Sequence, residues 1–309
     1  MSRLFIYLFS FLLFVSCSRK MDIPGEDPVQ GMTIDIGFLA SDEMEGREIG
    51  TAGESKAATY ISDRFKEIGL KPAGTEGYYQ PFSRKIKGNP HATEAAADDP
   101  VIYGKNVIAL LDNKAANTIV IGAHFDHLGY GKEGSLYTGA PAIHNGADDN
   151  ASGVAMMLYL AETLKKSKLK NNNYLFIAFS GEEKGLWGSN YFVNHPTLPI
   201  ANMNYMINMD MVGRLNQDRQ LAVSGTGTSV AFADVLQSAN TAALKLKLSE
   251  SGVGPSDHTS FYLQSLPVLA FFTGQHEDYH KPSDDIQLLN FSGMREVSAY
   301  VYRVIQGLD

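Results

Sequence analysis

The feature that most constrains this chain is an alternation of short apolar runs with stretches of helical spacing. Asn106 to Leu111, Thr118 to Ala123, Tyr174 to Phe179, Tyr205 to Met209, Leu221 to Val223 and Pro267 to Phe272 are candidate strands, and several are apolar throughout. A strand with one wet face alternates polar and apolar residues, whereas a strand covered on both faces does not. Ser152 to Lys166, Leu186 to Asn194, Ser229 to Leu244 and Phe291 to Gln306 read as helices between or after these runs. Upstream, Glu54 to Leu70 sets Ala57, Tyr60, Ile61, Phe65 and Ile68 at helical spacing and closes at Gly69, while Gly88 to Pro100 reads as a loop. The pattern predicts an α/β fold, a three-layer sandwich with a mostly parallel central sheet flanked by helices. In that architecture ligands gather at the carboxyl ends of the strands.

Those ends carry metal-binding chemistry. The second run closes in His124-Phe125-Asp126-His127, the third in Ser180-Gly181-Glu182-Glu183 and the fourth in Asp210. Gly146-Ala147-Asp148-Asp149-Asn150 opens a helix, and Thr273 to Asp285 holds His276, Glu277, Asp278, Tyr279, His280, Asp284 and Asp285. One imidazole or carboxylate after a strand is ordinarily a cap or a surface turn. Several converging on one sheet edge would repel one another without a compensating cation. With a single cysteine in 309 residues, neither a disulfide framework nor a thiolate cluster is available, so any metal site must use His and carboxylates, a set that suits zinc. The surplus of 34 Asp and Glu over 26 Lys and Arg, a formal charge of −8, argues against a nucleic-acid partner.

With these motifs in this order, the sequence resembles the M28 zinc aminopeptidases and their relatives. The resemblance also takes in Leu39-Ala40-Ser41-Asp42-Glu43-Met44-Glu45-Gly46-Arg47 and the helix ending Ile68-Gly69-Leu70-Lys71-Pro72, so it covers nearly all of the mature chain. It implies a zinc-exopeptidase-like fold with two zinc ions per chain. Asp149 would bridge them, His124 and Asp210 would complete the first, and Glu183 and His280 the second. Glu182 matches the family's general base, Asp126 the acid that orients His124, and Tyr279 a tyrosine that in some members donates to the developing oxyanion. Asp148 and Asn150 would shape the turn around Asp149, whose following peptide bond family members often hold in the cis form. The implied activity is hydrolysis of amino-terminal residues from peptides by a metal-activated water. A glutaminyl cyclase of the same fold is the alternative, followed by a carboxypeptidase or dipeptidase and by a binding domain without catalysis.

Other polar residues read differently. His127 lies three positions from His124, and strand alternation would turn it to the opposite face. Asp257-His258 fits a Ser-Asp-His motif of the family in which neither is a ligand. His144 and His276 are expected near the rim, His91 and His195 in solvent, and Arg214 in a structural ion pair, with a hold on a substrate carboxylate as its alternative. Trp187 and Met211 read as core, and the loops Tyr130 to Ala142 and Gly252 to Ser256 as the pocket lining.

The amino terminus reads as an export segment. Arg3, the apolar run Leu4 to Val15 and the small Ser16 resemble a secretory signal over residues 1–16, too short to span a membrane. Leu13-Phe14-Val15-Ser16-Cys17 resembles a bacterial lipoprotein signal, with Phe14 where Leu is usual. Cys17 would then carry the lipid, residues 17–32 would form a tether containing Pro24, Gly25, Pro28 and Gly31, and residues 33–309 a single catalytic domain. The expectation is an exported protein of the bacterial cell envelope, held at the outer membrane by its lipid and facing the periplasm or exterior.

Overall fold

A computed structural model describes residues 27–88, 93, 95–242 and 244–309. The signal segment, Cys17 and His91 lie outside them. The alternation seen in sequence becomes one nine-stranded sheet covered on both faces. Its strands are β1 (Lys71–Pro72), β2 (Tyr79–Lys85), β3 (Val101–Leu111), β4 (Asn117–His124), β5 (Asn172–Phe179), β6 (Met203–Met209), β7 (Gln220–Ser224), β8 (Lys245–Ser249) and β9 (Val268–Phe272). The helices are α1 (Pro28–Leu39), α2 (Ala52–Ile68), α3 (Gly153–Lys166), α4 (Trp187–Asn194), α5 (Phe232–Ala239), α6 (His258–Tyr262) and α7 (Phe291–Leu308).

Side chains divide by parity. Ile119, Ile121, Tyr174 and Phe176 face one layer of helices, built from α1, α2, α3, α5 and α7. Val120, Leu175, Ile177 and Phe179 face the other, where α4 and α6 supply Phe192 and Phe261. Period-two alternation of apolar residues on both faces is what a doubly covered strand requires. The strand order is β1-β3-β5-β4-β6-β9-β7-β8, with β2 also paired to β3. The central four, β5, β4, β6 and β9, are mutually parallel. The parallel character is confined to that centre and to the β7–β8 pair, because β3 and β7 join the centre antiparallel. Residues 112–116 join β3 to β4 directly, too short a link for the crossover that parallel strands need.

Three elements depart from the sequence reading. The expected tether runs into α1, where Asp27 accepts the N–H of Val29 and Met32 is fully buried. Pro28, read as part of the tether, occupies the first helical turn, where its missing N–H costs nothing. The helix expected over Ser229 to Leu244 stops at Ala239, and Asn240 pairs with both the N–H and the carbonyl of Leu244 to turn the chain into β8. The strand β2 carries too many polar residues, Gln80, Ser83, Arg84 and Lys85, to stand out. Among the described residues no helix is long and apolar enough to cross a membrane.

The segment after α1 pins the amino-terminal part to the sheet edge. Arg47 is fully buried, donating from Nε to the Phe125 carbonyl and from its terminal nitrogens to the carbonyls of Leu39, Asn145 and Gly146. Gly46 precedes it at φ +67°, and a Cβ there would stand 2.6 Å from the carbonyl oxygens of Gly129 and His144. Glycine is required for that approach.

Candidate metal centre

The three central strands end side by side, so their terminal residues meet. His124 is the last residue of β4, Glu182 and Glu183 follow β5 after a turn at Gly181, and Asp210 directly follows β6. Asp149 arrives from a π-helical turn before α3, and His280 from the segment after β9. His124 Nε2 lies 3.3 Å from Asp149 Oδ1 and 3.4 Å from Asp210 Oδ1. His280 Nε2 lies 3.2 Å from Asp149 Oδ2 and 3.2 Å from Glu183 Oε2. The two oxygens of Asp149 therefore face two separate histidines.

These separations test the fit of a metal. Nitrogen and oxygen ligands about 2.0 Å from a tetrahedral ion stand about 3.3 Å apart. Both trios contain that spacing, and the set of two imidazoles and three carboxylates is one zinc accepts. The residues fit the ion pair that the family resemblance implies. Burial alone would raise the pKa of Asp149, but contact with His124 and His280 holds it well below the usual carboxylate range. Burial likewise opposes charge on His280, and Asp149 and Glu183 outweigh it, carrying its pKa up to about 10. Beneath the site, burial pulls Arg47 down to about 10 while the nearby carboxylates, Asp126 first, act to raise it. Arg47 is thus a fixed cation among the acids.

The turn that presents Asp149 is locked from several sides. The Asp149–Asn150 peptide bond is cis, as the resemblance implied. Asp148 Oδ1 accepts the N–H of Gly213, and Asn150 Oδ1 accepts those of Gly153 and Met211. Asp284 Oδ2 accepts the N–H groups of Asp148 and Asp149, each at 3.0 Å. The sequence reading names Asp284 among the acids near the carboxyl end but gives it no role, since nothing in the local pattern separates it from Asp285.

Asp126 is placed differently from the expectation. Its carboxylate stands 3.7 Å from His124 Nδ1, while its own backbone carbonyl is nearer, at 3.2 Å. The carboxylate instead accepts the N–H of Glu182 at 3.1 Å and of Glu183 at 3.3 Å. It orients the backbone of the two glutamates more closely than it orients the imidazole. His127 is also corrected. β4 stops at His124, so strand alternation never reaches His127, and its buried ring turns into the site with Nδ1 2.7 Å from Glu183 Oε1.

A cavity of about 320 Å³ opens beside the ligands. Ala222, Gly254, Pro255, Phe272 and Tyr279 line it, together with His258 and Met211, which is buried as read and also reaches the cavity wall. Of the two loops expected to line it, only Gly252 to Ser256 contributes. The ring of Tyr279 stacks on His280 at 3.9 Å between centroids. Burial raises the proton affinity of Glu182, pushes Asp257 up to about 7 and pushes His258 down to about 4. Among the described residues two groups are close enough to hold an ion, His124, Asp149 and Asp210 in one and His127, Asp149 and Glu183 in the other, and Asp257 and His258 belong to neither. His144 is buried and paired with Ser135 and the Ala142 carbonyl, His276 contacts Asp148 at 3.2 Å, and His195 is exposed. Arg214 pairs with Asp278 as a structural bridge, and Trp187 packs with Ile49 and Phe82.

The pattern of peptidase family M28 matches residues 106–305. Aminopeptidase YwaD of Bacillus subtilis (strain 168) is 33% identical over 178 residues, 52% of this chain and 38% of that protein. The chain spans about half or less of the length of such curated relatives, including a probable leucine aminopeptidase of Trichophyton verrucosum that is 28% identical over 62% of this chain and 52% of its own. Among solved structures, a Zn-dependent exopeptidase from Parabacteroides distasonis superposes with a TM-score of 0.72 at 16% identity, covering 92% of this chain and 99% of that one. A glutaminyl cyclase from Porphyromonas gingivalis gives 0.70 at 18%, covering 91% and 98%. Those two structures establish likeness of fold.

Proposed function

The chain belongs to peptidase family M28, and we propose that it is a zinc-dependent aminopeptidase that hydrolyses amino-terminal residues from peptides. The observation that carries this reading is the paired geometry around Asp149, one oxygen toward His124 and Asp210 and the other toward Glu183 and His280. Two zinc ions held there would acidify a water and draw charge from the peptide carbonyl.

The chain's own residues do the rest. Glu182 takes the proton of the attacking water and returns it to the departing amine, and its buried setting favours holding that proton in between. Asp126 fixes the glutamate's backbone while this happens. Tyr279, on the cavity wall, donates its hydroxyl to the oxyanion. The cavity beside the ligands takes the side chain of the first residue. We place this activity outside the cytoplasm, on a chain held to the envelope through Cys17, on the strength of residues 1–20.

Hydrolysis of a panel of amino-acyl chromogenic amides, with and without chelator, tests the proposal. Chelator-sensitive release of the amine is expected, and peptides with a blocked amino terminus should resist. Absence of chelator-sensitive cleavage of any member overturns it. Closure of amino-terminal Gln into pyroglutamate without release of an amino acid would move the chain to the cyclase reading, which the fold also accommodates.

A further inference from the structure

His127 has no place in the ligand set that the family resemblance implies, yet the fold brings it within ligand range of Asp149 and Glu183. Its ring is buried, and its Nδ1 stands 2.7 Å from Glu183 Oε1. The two contacts that share a metal-like spacing at Glu183 and Asp149, both to His280 Nε2, are 3.2 Å. At 2.7 Å the His127 contact is shorter than the about 3.3 Å that separates two ligands of one tetrahedral ion, and it matches a charge-assisted hydrogen bond instead. It also uses the other oxygen of the carboxylate. Oε2 faces His280, Oε1 faces His127, and Asp149 Oδ2 is 3.9 Å from the His127 ring. Among the described residues only Nδ1 of the two ring nitrogens has a hydrogen-bond partner, and the Glu183 carboxylate it faces is an acceptor.

We infer that His127 is a positioning residue for the second metal: by holding Glu183 Oε1 it leaves only Oε2 for the ion and fixes the carboxylate as a one-oxygen ligand. Removing that hydrogen bond frees Glu183 to rotate and to offer either oxygen. The first trio, His124, Asp149 and Asp210, has no contact with His127 apart from the long one to Asp149, so the loss should fall on one ion. Outer partners of metal ligands typically contribute about 10- to 100-fold in metal affinity.

The inference rests on the two-ion reading, and the test separates them. Metal-stripped full-length protein is titrated with zinc against a chromogenic chelator, for wild type, His127→Ala and His127→Asn. The wild-type stoichiometry tests the two-ion reading by itself. For His127→Ala, the weaker of the two stepwise affinities should fall about 10- to 100-fold with the tighter one unchanged, and His127→Asn, which keeps an N–H donor, should recover part of it. A thermal unfolding curve of each metal-free variant guards against loss of fold. Equal losses at both steps, or no loss at either, overturn the inference. Cobalt(II) at saturation supplies a second readout: its visible absorption should keep its band positions in His127→Ala. A shift reporting a lost nitrogen ligand would put His127 directly on the ion and overturn the positioning role.

Discussion

The two halves of the metal centre are held in different ways. His124 and Asp210 stand at the ends of neighbouring parallel strands, where the pairing of β4 with β6 sets their separation. Glu183 and His280 come from connecting segments, and His280 sits at φ +54°, a conformation few non-glycine residues adopt. His280 is braced from outside the sheet, its Nδ1 against the Gly134 carbonyl at 2.9 Å and its carbonyl against the N–H of Leu136 at 3.0 Å. The sheet positions one half directly and the other only through loops. Connecting segments lack the backbone pairing that ties strand ends into the sheet, so the second half should be the softer of the two.

Asp149 belongs to both halves, and its loss should erase the difference. In Asp149→Ala, zinc stoichiometry by elemental analysis should fall from the proposed two to near zero and turnover by more than about 1000-fold, because several kcal/mol of charge stabilisation would depend on the ions. A variant that keeps the His124 half loaded would show that this half does not need the bridge. Glu182 should separate chemistry from binding. Glu182→Gln is expected to keep both metals and lose about 100-fold or more in kcat, the scale of positioned acid–base groups. Near-normal turnover in a fully loaded sample would remove Glu182 from its role.

Asp284 asks whether the halves can be weakened together without touching a ligand. Its carboxylate accepts the N–H groups of Asp148 and Asp149, so Asp284→Asn should loosen the bridge itself. Both stepwise zinc affinities should drop by comparable factors of about 10 to 100, with kcat in excess zinc changed far less. A drop confined to one step would mean that Asp284 supports only one side of Asp149.

How much of this was legible in the sequence follows the same division. Local pattern marks the clusters at His124 to His127, Asp148-Asp149, Glu182-Glu183 and Asp210, because each follows an apolar run or opens a helix, while the family resemblance singles out the members that would bind an ion. The fold class was legible for the same reason, with the parallel centre readable and the antiparallel flanks not, since pairing partners leave no local mark. What was missed depends on contacts between distant parts of the chain. Asp284 and Asp149 are 135 residues apart, and only burial separates Asp284 from Asp285. Arg47 was visible as part of a motif, but its carbonyl partners reach as far as Gly146. His127 was misread because alternation was carried past the last residue of β4. The loop Tyr130 to Ala142 was expected to line the pocket, and its role is instead to brace His280.

That brace gives the smallest of the expected effects and the most direct check on the softer half. Leu136 is exposed, with 56% of its surface accessible, so its side chain can change at little cost to the core. Leu136→Pro removes the N–H that the His280 carbonyl accepts, one hydrogen bond of about 1 kcal/mol. That converts to about a fivefold loss of affinity for the second zinc. Binding at the first proposed site, built from strand ends and the bridge, should stay as before. Leu136→Ala, which keeps the N–H, should leave both steps unchanged and so separates the backbone contact from the side chain. An unchanged second step in Leu136→Pro would mean that residues 273–285 hold His280 unaided, and the division between a sheet-held and a loop-held half would then rest on Glu183 alone.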